Sequence, residues 1–458
     1  MAGTKPSSQI TEGVIWKQLL IFFFPILLGT FFQQMYNTVD TIIVGRFVGT
    51  QALAAVGSTS ALVNLINGFF MGLSTGASVV ISQFFGAGDR GGVRRSMGTN
   101  AVLALILGIL ATLIGISGSP GLLKLIKTPQ SCLSDAALYA KIYFCGAAAT
   151  VIYNMGSGIL RAMGDSKRPL YFLIVTCFSN IALDLLFVVV LKQGIAGAAY
   201  ATVLSQIASA ILVVITLCRL EPDIRLDFKN LYLDSVLLRR ILLIGIPAGL
   251  QFITFDLSNL LVQSGINSFG EVTTAAWTAF AKADGITWMV SGAFGVSITT
   301  FVGQNFGAQK YSRIRQSVRT CLAMSIATQL LLSTCTLVFR VFILGIYTAD
   351  AEVIRVGAYA MLWIVPFNAL FMFVEVFAGT MRGTGCSVTP TVITGVCICG
   401  FRILWVLFIV SRWHTIEMLC ITYPLSWIFA SVVFAVTYLR GTWLRRRIEA
   451  CGMEPERI

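Results

Sequence analysis

The chain has 458 residues, of which 56% are hydrophobic and only 12% are charged. Ordinary soluble domains are about 45–50% apolar and about 25% charged, so this composition excludes a soluble enzyme, a secreted domain and a disordered chain. Uncharged runs such as 96–123 and 193–218 exceed the roughly 20 residues that a helix needs to cross a bilayer. The net charge of +13 does not indicate nucleic-acid binding, because basic residues also mark the cytoplasmic loops of membrane proteins. The composition therefore predicts an all-α polytopic membrane protein with no nucleic-acid partner.

Apolar runs separated by polar breaks predict twelve transmembrane helices. In chain order they cover 15–40, 51–82, 94–116, 134–159, 169–191, 196–218, 239–266, 273–306, 317–345, 353–380, 390–410 and 417–439. With the N terminus inside, 23 of the 33 Lys and Arg residues fall in inner segments and 8 in outer ones. This bias predicts a multi-pass protein of the cell membrane with both termini cytoplasmic. Cys132 is then the cysteine that we expect to be most accessible from outside.

Two stretches of the first half return in the second half. GILRAMGDSKRP at 158–169 returns as GTMRGTGCSVTP at 379–390, and ISQFFGAG at 81–88 returns as VGQNFGAQ at 302–309. The shared residues are Gly, Arg, Gln and Pro of the loops, which makes chance similarity of apolar helices a poor explanation. Both copies begin on the same side of the membrane, so the repeat predicts two pseudo-symmetric six-helix bundles.

The repeat divides the chain into lobes. We predict an N-terminal lobe of 1–218, a cytoplasmic linker of 219–238, a C-terminal lobe of 239–440 and a cytoplasmic tail of 441–458. Paired bundles with a site near the membrane midplane are a common plan of secondary transporters.

Ionisable residues inside membrane helices are costly and usually functional. The N-terminal lobe holds two such acids, Asp40 and Asp184, and no base deep inside its spans, since Lys17, Arg94, Arg95 and Lys141 lie towards the ends of theirs. Two carboxyl groups without a base need protons, a metal cation or a cationic substrate. The N-terminal lobe is therefore the better candidate for a cation site.

Three further polar residues are predicted to lie at the level of these acids. Asn180 is one helical turn before Asp184, and Thr202 and Tyr139 lie near the outer ends of their helices. Carboxylate, amide and hydroxyl oxygens suit a sodium ion, here at Asp40, Asn180 and Asp184, and two close carboxyl groups also suit a shared proton. Thr202 and Tyr139 have a plainer interpretation, because Thr often bonds its own helix and Tyr favours membrane interfaces.

The chain resembles the MATE family of multidrug and toxic compound extrusion transporters. The resemblance covers nearly the whole chain and is carried by QQMYNTVDTIIVG in the first helix, QALAAVG, VGQNFGA, the paired Arg-Gly loops and SNIALD at 179–184. It implies twelve helices in two lobes that form a V, and cation-driven efflux of cationic or amphiphilic drugs. It also implies that the N-lobe acids and the Asn of helix 5 bind the coupling ion, sodium or a proton.

The resemblance extends the site to a substrate cavity. We assign to it Asn154, Gln33, Gln34 and Asn37, although hydrogen bonding between helices is an equal explanation for Asn154. Pro25 is expected to bend helix 1 before Asp40, which gives it a plausible switching role.

The C-terminal lobe contains acids and bases that are able to neutralise one another. We predict a secondary polar network there, formed by Asp256, Lys282, Asp284, Glu375 and Arg402. Arg161 and Arg382 are expected to interact with helix C termini and lipid phosphates, which is a structural role.

The sequence therefore predicts a cation-coupled antiporter that works by alternating access on small-molecule substrates in the bilayer. One alternative is a lipid-linked oligosaccharide flippase of the same superfamily, and another is a non-transporting sensor or channel. No Walker loop or nucleophile–base pair is apparent, so we expect no enzyme activity. A single His excludes a histidine metal site, so no cofactor is expected, and we expect a functional monomer.

Overall fold

The regular structure of the computed structural model, which describes residues 9–125 and 128–450, is helical throughout. In the first half the α-helices are α1 Ile15–Phe47, α2 Thr50–Gly86, α3 Arg90–Leu125, α4 Leu133–Cys145, α5 Ala147–Ala162, α6 Lys167–Asp184 and α7 Gly194–Cys218. In the second half they are α8 Ser235–Asn267, α9 Glu271–Gly307, α10 Tyr311–Val338, α11 Arg340–Tyr347, α12 Ala351–Ile364, α13 Asn368–Gly383, α14 Val388–Thr394, α15 Phe401–Trp405, α16 Ile416–Cys420, α17 Thr422–Arg440 and α18 Thr442–Ala450. Short 3-10 turns lie at Gln9–Thr11, Phe228–Asn230 and Val365–Phe367, and π-helical turns at Leu185–Val190, Gly395–Gly400 and Val406–Val410.

The described residues contain eleven helical stretches that are long and apolar enough to cross a membrane. A twelfth arises when α4 and α5, which meet at an angle of 48°, are taken as one bent span. Gly146 occupies the break between them. The predicted all-α membrane fold is thereby confirmed. The predicted run 317–345 differs in detail, because its helix breaks at Phe339 into α10 and α11.

The described residues divide by their contacts into two compact units. The first unit comprises 24–249, and the second comprises 9–23 together with 250–450. These limits differ from the predicted lobes, because α1 and α8 each belong partly to both units. Each helix changes unit within three residues of a proline, at Pro25 and at Pro247. Because proline lacks the N–H that a helix interior needs, these are the weakest points of two long helices.

The segment predicted as a cytoplasmic linker packs onto the first unit. Leu226 is 6% exposed, and its N–H donates to the carbonyl oxygen of Leu217 at 3.0 Å. Arg90 pairs with Glu221 at 2.7 Å, which joins the start of α3 to this segment. Hydrogen bonds from the Asn230 side chain and from the Lys229 N–H lower the pKa of Asp227. The segment is therefore an ordered part of the first unit.

The repeated Gly-x-x-Arg motif has the same packing role in each unit. A Cβ on Gly158 would lie 2.6 Å from the Oγ atoms of both Ser74 and Ser78. A Cβ on the aligned Gly379 would lie 2.7 Å from Ile298 and 3.0 Å from the carbonyl oxygen of Gly295. A Cβ at either position would force neighbouring atoms to shift, so glycine favours these close helix approaches in both units.

The expectation for Cys132 is wrong. This cysteine caps α4 and is only 1% exposed, whereas the structure leaves Cys145 and Cys335 exposed. Cys132 is buried because it packs in the core cluster with Leu123 and Ala136. The predicted cytoplasmic tail 441–458 is described only as far as Ala450, where it forms the short helix α18.

Candidate cation-binding site

The two acids of the first unit are brought together by α1 and α6. Asp40 lies on α1 and is 7% exposed, and Asp184 is the last residue of α6 and is fully buried. Their carboxyl groups are within interaction range of each other, although the residues are 144 positions apart in the sequence. A pair of carboxyl groups this close does not hold two negative charges without a cation or a shared proton.

The polar atoms around this pair lack protein partners. Apart from the contact between the two carboxyl groups, Asp40 Oδ1, both carboxyl oxygens of Asp184 and both side-chain polar atoms of Asn180 are buried and make no hydrogen bond with the described residues. Asn180 is fully buried one turn before Asp184, so its side chain faces the same way. A buried polar atom without a partner costs about 1–3 kcal/mol, so a ligand that bonds these five atoms would be stabilised here. A small cation fits the oxygens, and a shared proton fits the carboxyl pair.

Thr202 and Tyr139 lie beside the acids but have protein partners. They are 7% and 6% exposed, on α7 and α4. The Thr202 hydroxyl donates to the carbonyl oxygen of Ala198 at 3.1 Å, and the Tyr139 hydroxyl interacts with Thr202. Thr202 thus bonds its own helix, as the plainer interpretation predicts, and only its lone pairs are available to a cation.

The backbone at Asp184 has an unusual shape that recurs in the second unit. A π-helical turn, Leu185–Val190, begins directly after Asp184. The repeat aligns Asp184 with Trp405, and the π-helical turn Val406–Val410 begins directly after that residue. Such turns are rare in proteins overall, but a large share of those known lie at functional sites. The two units therefore share the local backbone, and only the first places an acid on it.

Sequence reasoning missed Tyr36 and Gln206. Tyr36 lies one turn before Asp40 on α1, is 6% exposed, and its hydroxyl accepts a hydrogen bond from Gln206 on α7 at 3.3 Å. This bond connects the helix that carries Asp40 to the helix that carries Thr202. The spacing of four residues between Tyr36 and Asp40 was the signal that could have identified the tyrosine.

The residues assigned to a substrate cavity are placed as follows. Gln33, Gln34 and Asn37 are exposed on α1, and Gln33 interacts with Tyr36. Asn154 is half-buried on α5, where its carbonyl oxygen accepts a hydrogen bond from Ser74 at 2.8 Å. The side chains of Gln33 and Asn37 share one face of α1, next to the face that carries Tyr36 and Asp40.

In the second unit, one acid of the predicted polar network pairs with a base that the prediction did not include. Glu375 pairs with Arg382 at 3.2 Å, and Arg382 also donates to Gln251 at 3.2 Å. Arg382 lies in the last turn of α13, as expected, but its side chain bonds Glu375 and Gln251, which the expectation of a lipid-phosphate partner did not include. Its side chain is 12% exposed and lies two turns after Glu375 on the same helix, which makes the acid its nearest partner.

Among the described residues, the other charges of this predicted network form no ion pair with one another. Asp284 is 6% exposed and accepts a hydrogen bond from Asn368 at 3.0 Å. Arg402 is fully buried, with its guanidinium 4.2 Å from the Tyr423 ring centroid and 3.1 Å from the Ser426 hydroxyl. Lys282 is exposed and Asp256 half-buried, and neither forms an ion pair with a described residue.

A duplicated bundle of membrane-spanning helices with an unsatisfied acid pair inside one half defines a membrane transporter. The family model MatE matches residues 25–186 and again 247–407, one match in each half. The chain belongs to this family, whose members are multidrug efflux transporters. The two matches also agree with the internal repeat.

Individual relatives match over almost their whole length. A probable multidrug resistance protein, YoeA of Bacillus subtilis (strain 168), is 29% identical over 95% of each chain. A probable multidrug resistance protein, NorM of Thermotoga maritima, is 25% identical over 97% of this chain and 96% of its own. A crystal structure of a MATE transporter in the bent conformation has a TM-score of 0.89 with 21% identity, covering 97% of this chain and 100% of the other. That structure supports the fold.

Proposed function

We propose that this chain is an antiporter that exports cationic or amphiphilic compounds and is driven by sodium ions or protons. The coupling cation binds in the first unit, between Asp40 and Asp184, with Asn180 as an additional oxygen ligand. The proposal places the protein in the cell membrane with both termini cytoplasmic and requires a single chain.

The unsatisfied polar atoms of Asp40, Asn180 and Asp184 are the observation that carries this proposal. Carboxylate and amide oxygens are the ligands that a hard cation such as sodium prefers. The same carboxyl pair suits a shared proton, so a site of this composition is able to use either ion. The family and the names of the relatives support efflux as the direction of substrate transport.

Helix α1 offers a route from ion binding to movement. Asp40 lies fifteen residues after Pro25, at which the helix changes the unit that it contacts. Binding of a cation between Asp40 and Asp184 pulls α1 towards α6, and the helix is easiest to bend at Pro25. In this mechanism cation binding from outside favours release of the exported compound, and cation release inside allows the next compound to bind.

Reconstituted protein tests the proposal. Ethidium, a cationic amphiphile, is loaded into proteoliposomes, and its movement is followed by fluorescence under an imposed sodium or proton gradient. We expect counterflow with the wild type and none with Asp40→Asn or Asp184→Asn. The matched control is Asp256→Asn, which removes a half-buried acid from the second unit. Equal transport by Asp40→Asn and the wild type would contradict the proposal.

The flippase alternative has less support. It needs cationic side chains in its cavity to hold the phosphates of its substrate, and Lys282 and Arg402 are the two bases that the sequence places deep inside spans. Arg402 is fully buried among Phe255, Tyr423 and Trp427, which leaves Lys282 alone to serve this purpose.

The proposed orientation has its own test. Gln130 and Lys229 are exposed in predicted outer and inner segments, respectively. In a cysteine-free background, Gln130→Cys should react with an impermeant thiol reagent added to intact cells, and Lys229→Cys should react only after lysis. The reverse pattern would invert the orientation.

A further inference from the structure

A cavity of about 610 Å³ lies within the second unit, and the coupling mechanism does not use it. It is lined by the end of α8, the first part of α9 and the segment that connects α11 to α12. Its volume falls in the range of about 300–1,000 Å³ that is typical of sites for drug-sized molecules. The cavity is therefore large enough to hold an amphiphilic small molecule.

One face of α9 supplies a polar stripe to this cavity. Glu271, Thr274, Thr278 and Lys282 all line it, at spacings of three and four residues that place them on the same side of the helix. Thr274 donates to the carbonyl oxygen of Gly270 at 2.9 Å, and Thr278 donates to that of Thr274 at 2.9 Å. Since the hydroxyl hydrogens are used, both threonines offer the cavity only acceptor atoms.

Lys282 is the basic residue among those that line the cavity. Its side chain is exposed and forms no ion pair with a described residue. Glu271, the acid that lines the cavity, lies about 16 Å away along the helix axis, beyond the reach of a lysine side chain. Asp284 is only two residues from Lys282, but it faces another side of α9 and accepts a hydrogen bond from Asn368.

We propose that this cavity binds an amphiphile through an anionic group, a carboxylate or a phosphate, with Lys282 as the cationic anchor. A lysine inside a predicted span is costly unless a counterion or water compensates its charge. An anionic group beside Lys282 provides that counterion, and the apolar lining at Ala275, Ala279 and Val353 accepts the hydrophobic part of the ligand. This site is distinct from the cation site in the first unit, and it does not depend on the proposed antiport.

Two probes with the same ring system test the proposal: 9-anthracenecarboxylate and the neutral 9-anthracenemethanol. Binding is measured by equilibrium dialysis against protein in phosphatidylcholine nanodiscs, after subtraction of binding to empty nanodiscs. We expect Lys282→Gln to weaken binding of the carboxylate about tenfold. A loss of this size corresponds to the binding free energy of one charge-assisted hydrogen bond. Binding of the alcohol should change less than twofold, and Lys282→Arg should retain most of the affinity for the carboxylate.

Two further variants control for charge and for location. Lys124→Gln removes an exposed lysine from the first unit and should change neither affinity. Thr278→Trp fills the cavity without a change of charge and should weaken binding of both probes. Asp40→Asn should leave both affinities unchanged, so failure of this site and failure of the cation site give different results.

Native mass spectrometry then identifies the source of the anionic group. Phospholipid that stays on the wild type and is lost from Lys282→Gln indicates a lipid phosphate. If the wild type carries no phospholipid but still binds the carboxylate probe more tightly than the alcohol, the anionic group belongs to a carboxylate-bearing small molecule. The proposal is overturned if Lys282→Gln binds the carboxylate as tightly as the wild type, or if it weakens binding of both probes equally.

Discussion

The two units share a repeated sequence and repeated helix packing, yet their buried acids differ in whether they have protein partners. In the second unit Glu375 pairs with Arg382, and Asp284 accepts a hydrogen bond from Asn368. In the first unit Asp184 is fully buried, and neither of its oxygens accepts a hydrogen bond from a described residue. A buried acid with a protein partner contributes to structure, whereas one without a partner remains available to a ligand.

The difference arises at single positions of a common backbone. The glycines that permit close helix packing are retained in both units, at Gly158 and Gly379, and so are the π-helical turns after Asp184 and Trp405. The second half places Trp405 where the first half places Asp184. The duplicated scaffold thus carries a buried acid in one unit and an aromatic residue at the matching position in the other.

The largest expected effect comes from the acid pair. Asp40→Asn or Asp184→Asn should abolish gradient-driven transport, because the cation loses its charge partner. The fold should survive, since the amide removes a burial cost and still forms hydrogen bonds. Ethidium binding at equilibrium, measured by fluorescence anisotropy, should remain within about threefold of wild type, since the pair binds the cation rather than the compound. Loss of ethidium binding together with transport would mean that the acids hold the substrate.

Glu375→Gln tests the opposite expectation for the second unit. It leaves the poorly exposed Arg382 without its charge partner, so the free energy of unfolding should fall by roughly 2–3 kcal/mol while transport persists. The matched control is Glu352→Gln, which breaks the exposed pair with Arg355 and should leave the free energy of unfolding nearly unchanged. Thermal unfolding in lipid provides the readout. A stable Glu375→Gln protein without transport would move the function to the second unit.

Asn180→Ala distinguishes sodium from proton coupling. Because it removes an oxygen that a proton does not need, apparent sodium affinity should fall about tenfold while proton-driven transport persists. Its counterpart is Asn368→Ala, which removes the amide that bonds Asp284 and should leave the sodium affinity unchanged. Both are measured as the sodium dependence of transport at constant pH. Equal losses in the two variants would remove the distinction between the units.

Tyr139→Phe should have the smallest effect. It keeps the ring that stacks on Tyr143 and removes only the hydroxyl that interacts with Thr202. We expect a change of at most about threefold in sodium affinity, because the hydroxyl groups of Tyr139 and Thr202 both have protein partners. A larger loss, measured in the same transport assay, would make the Tyr139 hydroxyl a ligand of the cation.

Sequence patterns predicted the helices and the acid pair more successfully than the partners of the charges. The twelve spans follow from hydrophobic runs, and the repeat indicated which positions correspond. The pairing of Glu375 with Arg382 was missed because Arg382 stands in a loop motif that has a sufficient explanation as a helix end. The two unsatisfied acids were found because the sequence places no base deep inside the spans of their half, whereas it places Lys282 and Arg402 inside those of the other half.

The limits of the two units and the positions of the π-helical turns could not be predicted from the sequence, for a different reason. Residues 9–23 pack with the second unit although they begin the first repeat, and this depends on long-range contacts. The turn after Asp184 consists of Leu, Phe and Val, and these residues fit an α-helix equally well. Cys132 was misjudged because a cysteine next to a loop can still pack in the core.

The number of cations bound per chain tests the central claim most directly. We would measure equilibrium binding of radioactive sodium at constant pH. We would also measure the protons released when sodium is added in weakly buffered solution. Both measurements compare the wild type with two variants that carry several substitutions. Asp40→Asn with Asp184→Asn should lose the bound cation. The second variant carries Asp256→Asn, Asp284→Asn and Glu375→Gln together. It should keep one cation per chain at wild-type affinity. Retention of the cation by the first variant and its loss from the second would place the coupling site in the second unit and contradict the account.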